Sequence, residues 1–335
     1  MDHKVAVLGG GSWGTALACH LVRGGNPTVL WAREPEVVAG INQEGRNPLF
    51  LSDVDLPEGL TATASIERAL IGASVAVSSI PTQFIRQTVT PIIDHLAGLQ
   101  MIVSVSKGIE VGSLLTPLGI LNELLPPPLG RVALSGPSFA AEVAAGHPTA
   151  VVVAGADPAA VAEAQSLFSD QHLRAYTSDD VVSVELGGAL KNVIAIATGI
   201  VDGLGYGKNT RAALITRGLV EITRLGVAQG GNPLTFAGLS GLGDLVLTCT
   251  GDLSRNRQVG MELGRGKSLD QLLTEMDEVA EGVGTTVAAR EMAIKAGISM
   301  PIAGEVYRIL YEGKDPRLSV LDLMGRDLKD EREGP

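Results

Sequence analysis

At 335 residues the chain is longer than most single domains, so two domains with separate cores are expected. A formal net charge of -11 argues against wrapping a nucleic acid or lying on an anionic membrane, and aromatic residues at 3% leave no platform for base stacking. The two cysteines, Cys19 and Cys249, have neither metal-ligand spacing nor the number for a disulfide framework, so reduced thiols and no metal are expected.

The amino terminus, Met1-Asp2-His3-Lys4, leads straight into a strand-like run with no apolar leader, and no uninterrupted apolar run is long enough to span a bilayer. A cytoplasmic, unprocessed protein is therefore expected. From Lys4 to about Tyr176, short β-branched runs alternate with helical patterns, the signature of a doubly wound, mainly parallel sheet. The strands fall at Val5 to Leu8, Thr28 to Trp31, Val75 to Ile80, Met101 to Ser106, Val132 to Leu134, Ala150 to Ala154 and Leu173 to Tyr176, with helices such as Thr15 to Arg23 and Pro158 to Phe168 between them. After Thr177-Ser178-Asp179-Asp180 the strand pattern stops, and segments near 181–203, 209–230, 255–264, 269–276, 285–296 and 301–312 read as helices. The reading is an α/β domain over 1–178 and an α-helical domain over 179–335.

The first strand runs into Gly9-Gly10-Gly11-Ser12-Trp13-Gly14 and then a helix. In that context the pattern is a dinucleotide fingerprint: Gly9 for the tight turn, Gly11 for approach of backbone to a pyrophosphate, Gly14 for packing of helix on strand. At the end of the second strand stands Ala32-Arg33-Glu34. Arg33 suits a 2′-phosphate, so NADP is favoured, while Glu34 keeps NAD possible.

Ligands of open α/β sheets sit beyond the carboxyl ends of the strands. Lys107 follows one such strand and its cation is expected to point toward the crevice; Gly136-Pro137-Ser138-Phe139-Ala140 follows another and offers backbone donors. In the helical domain, Lys191 lies alone in the apolar run Leu186 to Ala197, where burial would lower its pKa and make it a general base. Asp244, in a glycine-rich apolar turn, is placed to orient Lys191 or a substrate hydroxyl, or to cap the next helix. Ser254 is a natural N-cap, and with Asn256 and the guanidinium groups of Arg255 and Arg257 it forms a compact anion site.

Taken in order, GGGSWGTALA at 9–18, LWAR at 30–33, SKGIE at 106–110, GPSFA at 136–140, ALKNV at 189–193, GLSGLGDL at 238–245 and SRNRQVG at 254–260 resemble the bacterial NAD(P)-dependent glycerol-3-phosphate dehydrogenases over nearly the whole chain. The resemblance implies a Rossmann domain joined to an α-helical domain, reversible reduction of dihydroxyacetone phosphate to sn-glycerol 3-phosphate, and supply of that product to phospholipid synthesis. It implies cofactor contacts at Ser12, Trp13, Arg33, Lys107, Ala140, Arg255, Val279 and Glu281. Substrate contacts would fall on Lys107, Gly136, Ser138, Lys191, Asp244, Ser254, Arg255 and Asn256, with Lys191 as acid/base. A homodimer is the expected assembly. The competing readings are a related β-hydroxyacid dehydrogenase, which would not need the 254–257 cluster, and a dinucleotide-binding sensor, which would not need Lys191 beside Asp244.

Overall fold

The structure is a computed structural model and describes residues 3–275, 280–328, 330 and 331. The chain divides into two compact units, one of Met1–Ser106 with Pro117–Val181, the other of Lys107–Thr116 with Val182–Pro335.

In the first unit, among the described residues, eight strands make one sheet: β1 (Val5–Leu8), β2 (Thr28–Trp31), β3 (Thr61–Thr63), β4 (Val75–Ser78), β5 (Met101–Ser104), β6 (Gly130–Ser135), β7 (Thr149–Ala154) and β8 (Leu173–Ser178). They lie in the order β3-β2-β1-β4-β5-β6-β7-β8, and every pairing is parallel except β6 with β7. The order of the first six strands is that of a dinucleotide-binding sheet. Every residue of β1, β4 and β5 is buried, which is why these strands read as continuous apolar runs rather than alternating ones. The sequence pattern found seven strands and missed β3, whose three residues Thr61, Ala62 and Thr63 are too few to carry a period.

Helix α1 (Ser12–Arg23) buries eight of its residues, including Leu17 and Leu21, in the core of this sheet. Helix α2 (Pro158–Phe168) starts where its residues dictate. Asp157 caps it by accepting from the Ala159 amide at 2.9 Å, Pro158 takes the first position, and Phe168 closes the same core.

The second unit is helical: α3 (Val181–Gly203), α4 (Lys208–Ala228), α5 (Asp244–Thr250), α6 (Arg255–Gly264), α7 (Glu281–Ala296), α8 (Pro301–Tyr311) and α9 (Pro316–Met324) carry most of it. From Ser183 to Val201 every residue of α3 is buried, as a helix apolar on all sides requires. Contrary to the expectation that no run is long enough, α3 has the length and the mean hydropathy, 1.5, to cross a membrane. Its apolar window is wholly buried in protein, however, as in a core helix. Lys191 does not reach the surface from this helix: the residue is only 6% exposed.

Helices α3 and α6 touch backbone to backbone. A Cβ on Gly199 would stand 2.0 Å from the Arg257 carbonyl oxygen, and one on Gly260 would stand 2.1 Å from that of Ile196, so no side chain fits at either crossing. The contact fixes the start of α6 against the helix that carries Lys191.

Candidate active site

In the first unit the turn after β1 is shaped by absent side chains. Gly9 has φ +128°, and a Cβ there would meet the Ser79 carbonyl oxygen at 2.7 Å; one on Gly14 would lie 1.9 Å from the Gly9 carbonyl oxygen. At Gly11, by contrast, a Cβ would meet nothing within 4 Å. Gly11 is also the N-cap of α1, and no side chain caps the helix there. The amides of the first turn thus lie beside a residue with open space around it and no capping side chain, the arrangement that a phosphate at a helix N-terminus needs. Beside them the Trp13 Nε1 donor is buried with no partner among the described residues. The Ser12 hydroxyl donates to the Phe50 carbonyl at 2.8 Å, tying the turn to the 40s loop. These residues fit a dinucleotide pyrophosphate.

Because β1 to β6 run parallel, the segments leaving β2 and β6 open on the same edge of the sheet as Gly9–Gly14. Arg33 lies there with its side chain exposed, donating through Nε and Nη2 to Glu34 Oε1 at 3.2 and 3.0 Å. Gly136 follows β6 at φ +140°, the Ser138 hydroxyl donates to its carbonyl at 3.0 Å, and Ala140 begins the short helix Ala140–Ala144.

In the second unit, Asp244 opens α5 and is 1% exposed. Its Oδ1 accepts from Lys191 Nζ at 2.5 Å and its Oδ2 from Lys107 Nζ at 2.6 Å. One turn along α5, Thr248 accepts from Lys191 Nζ at 2.8 Å and donates to the Asp244 carbonyl at 2.7 Å. Burial pushes the Lys191 amine down to about 8, Asp244 opposes this, and the neighbouring Lys107 cation adds to it. Burial opposes ionisation of Asp244, but the Lys107 and Lys191 ammonium groups outweigh it and hold the carboxyl below its usual range. Lys107, expected at a strand end, belongs to the segment that packs in this unit, where Asp244 holds it. Of the alternatives open for Asp244, its carboxylate takes the contact with Lys191 and does not cap the helix, whose N-cap position is Gly243.

The start of α6 is built as its residues suggested. Ser254 caps it, accepting from the Arg257 amide at 3.3 Å, and Arg255 and Asn256 occupy the first turn. Asn256 Oδ1 accepts from the Gly282 amide at 2.9 Å, which joins α6 to α7 and leaves the amide NH2 to donate. Surrounding protein desolvates Arg255 and lowers its pKa, while the Glu281 carboxylate at the head of α7 opposes that shift. Glu281, an ordinary surface acid by sequence pattern alone, thus faces the anion cluster. Val279 lies outside the described residues.

One expectation is corrected. Arg257 is not a second guanidinium for an anion: it is buried, with Nε on Asp202 Oδ2 and Nη1 on Asp252 Oδ1, both at 2.9 Å. Its donors are committed to carboxylates that no reading of residues 252–257 alone would bring together.

Two family models match, NAD-dependent glycerol-3-phosphate dehydrogenase N-terminus over residues 4–161 and NAD-dependent glycerol-3-phosphate dehydrogenase C-terminus over 180–320. The chain belongs to the NAD-dependent glycerol-3-phosphate dehydrogenase family. It is 53% identical over 333 residues to the glycerol-3-phosphate dehydrogenase [NAD(P)+] of Geobacter sp. (strain M21), covering 99% of each chain. To the enzyme of the same name from Nitratidesulfovibrio vulgaris (strain Hildenborough) it is 51% identical over 330 residues, 98% of this chain and 100% of the other. A crystal structure of glycerol-3-phosphate dehydrogenase from Coxiella burnetii superposes with a TM-score of 0.93 at 39% identity, covering 97% of this chain and 99% of that one. As a member of this family the chain is an NAD(P)-dependent oxidoreductase with a Rossmann domain and a helical domain.

Sequence reasoning left two residues of the lysine cluster without a role. Thr248 follows Asp244 by four positions, a helical spacing that puts both on one face and could have revealed it. Asn192, next to Lys191, reaches the Lys107 carbonyl oxygen through Nδ2 at 3.5 Å, and no local signal marks that contact.

Proposed function

We propose that this glycerol-3-phosphate dehydrogenase reversibly reduces dihydroxyacetone phosphate to sn-glycerol 3-phosphate with Lys191 as its acid/base. The observation that carries the assignment is a buried lysine, poised at about 8, whose ammonium is oriented by Asp244 and Thr248. The bound dinucleotide supplies a hydride to the carbonyl carbon, NADPH being favoured by Arg33. In the reductive direction protonated Lys191 donates its proton to the C2 oxygen; in the oxidative direction the neutral amine removes the C2 hydroxyl proton. Asp244 stabilises the ammonium form and holds Nζ in place. Lys107 contributes a second cation beside the same carboxylate, where substrate oxygens would lie.

Ser254, Arg255 and Asn256 bind the phosphate, and that remote binding energy positions the reacting carbon. Gly136 and Ser138 are read as further substrate contacts. Ser12, Trp13, Ala140, Arg255, Val279 and Glu281 are read as cofactor contacts, with Gly9, Gly11 and Gly14 shaping the turn. We read the product as a precursor for phospholipid synthesis and the enzyme as a cytoplasmic homodimer. Two buried free thiols suit a reducing compartment. Leu318, Leu321 and Met324, exposed at three-residue intervals along α9, offer apolar surface to a second copy.

The test is oxidation of NADPH and NADH by the pure protein with dihydroxyacetone phosphate, compared with an Arg255→Ala variant. The variant should lose on the order of 1.5–3 kcal/mol of transition-state binding, seen as a raised KM and a lowered kcat. A folded variant with wild-type KM would move the phosphate site elsewhere.

A further inference from the structure

Arg257 and its carboxylate partners sit outside the set of groups read as touching substrate, yet they lie at the root of the turn proposed to hold its phosphate. Asp202 is in the last turn of α3, eleven residues beyond Lys191, or roughly 16 Å along one rigid helix. Its Oδ2 holds Arg257 Nε, and its Oδ1 accepts from Arg211 Nε and Nη2 at 3.0 and 2.6 Å. With Asp252 on Nη1 of Arg257, two carboxylates balance two guanidiniums.

Arg257 is engaged by its backbone as well. Its amide donates to the Ser254 hydroxyl, which orients that oxygen. Its carbonyl lies in the gap left by the missing side chain of Gly199. The residue next to Asn256 is therefore anchored through side chain, amide and carbonyl, and two of the three anchors lead to α3. A buried ion pair of this kind contributes little net stability once desolvation is counted, but it does fix geometry.

We propose that Arg257, held by Asp202, is a positioning residue for the phosphate-binding turn, setting Ser254, Arg255 and Asn256 at a fixed distance from Lys191. The proposal rests on the reading of that turn as the phosphate site. The turn cannot shift along α3 while the pair is intact, so the carbon to be reduced is delivered at one distance from the Lys191 amine. Small misplacements of a bound substrate are costly in rate, which gives such an anchor its value.

Arg257→Lys and Asp202→Asn test it, with Arg255→Ala as the reference. Each is assayed with dihydroxyacetone phosphate and with dihydroxyacetone, which lacks the phosphate, and each is checked by melting and by NADPH titration. Asp202→Asn keeps the size and two acceptor lone pairs of the carboxylate and so guards against loss of fold in the lysine variant. Both variants should lower kcat/KM for dihydroxyacetone phosphate on the order of tenfold or more, through a raised KM together with a lowered kcat. The weak turnover of dihydroxyacetone should stay at the wild-type level, and NADPH affinity, which Arg255 also serves, should fall less than that for dihydroxyacetone phosphate. The double variant should lose less than the two single losses combined, because both changes break the Asp202–Arg257 contact. Equal losses on the two trioses would make the network merely structural and overturn the proposal, as would an unaltered KM in folded variants. An unaltered KM in Arg255→Ala would instead overturn the phosphate reading itself, and this proposal with it.

Discussion

At the Gly9–Gly14 turn the chain makes room by omitting side chains, whereas around Lys191 it fills a buried space with polar side chains brought from positions 107, 191, 244 and 248. The first arrangement is local, and its chemistry comes from backbone amides at a helix end. The second is non-local, and its chemistry comes from charges that burial makes interdependent. A backbone site tolerates many neighbours but no added carbon at three of its glycines, Gly9, Gly10 and Gly14. A buried charge cluster is sensitive to its members, because Asp244 and Lys107 together set the proton affinity of Lys191.

The largest effect should come from breaking the second region at its centre. Lys191→Ala should lower turnover by roughly 10²–10⁴ while leaving NADPH affinity intact, since the amine acts on substrate and not on the dinucleotide. Single-turnover rates together with fluorescence titration of NADPH check it; a variant within a few fold of wild type at saturating substrate would remove Lys191 from the chemistry.

The converse loss is expected in the first region. In Gly14→Ala the new methyl falls 1.9 Å from the Gly9 carbonyl oxygen, so the head of α1 must move. Affinity for both dinucleotides should fall by about a hundredfold, a misplacement effect, while the pH dependence of the residual rate stays as in the parent. Normal affinity in that variant would show that the turn is only structural.

Arg33→Asp should weaken NADPH by roughly ten- to a hundredfold and NADH far less, because it sets like charges against a 2′-phosphate. Equal losses in calorimetric titrations would mean that Arg33 does not read that group.

The smallest and most diagnostic change is in pH dependence. Lys191 is poised at about 8, so oxidation, which uses the neutral amine, should rise through that pH and reduction should fall through it. The Lys107 cation helps to lower the Lys191 pKa, so Lys107→Met should move both limbs to higher pH. Limbs that stay in place would uncouple the two lysines.

Much of this was legible in the sequence because it depends on neighbours in the chain. The strands at Val5, Thr28, Val75 and Met101 announce themselves by short, mainly apolar runs that contain β-branched residues, and the cap at Ser254 by its residue type and place. The seven family segments named the candidate site residues before any contact was visible. The three-residue β3 and the antiparallel turn from β6 to β7 carry no comparable signal, since pairing direction depends on where the chain returns and not on what it is made of.

By itself, then, the sequence determined the glycine turn and the chemical types available at each site, which follow from backbone sterics and periodicity over a few residues; that Lys107–Thr116 packs with the helical unit did not show in it. Only the tertiary structure decided which charges meet. Asp244 takes Lys107 from 137 positions away and Lys191 from 53, while Arg257, whose position next to Arg255 marked it for an anion, is taken up by Asp202 from 55. Local chemistry cannot foresee those choices, because a buried charge is paired by whatever the packing of helices brings within about 3 Å of it.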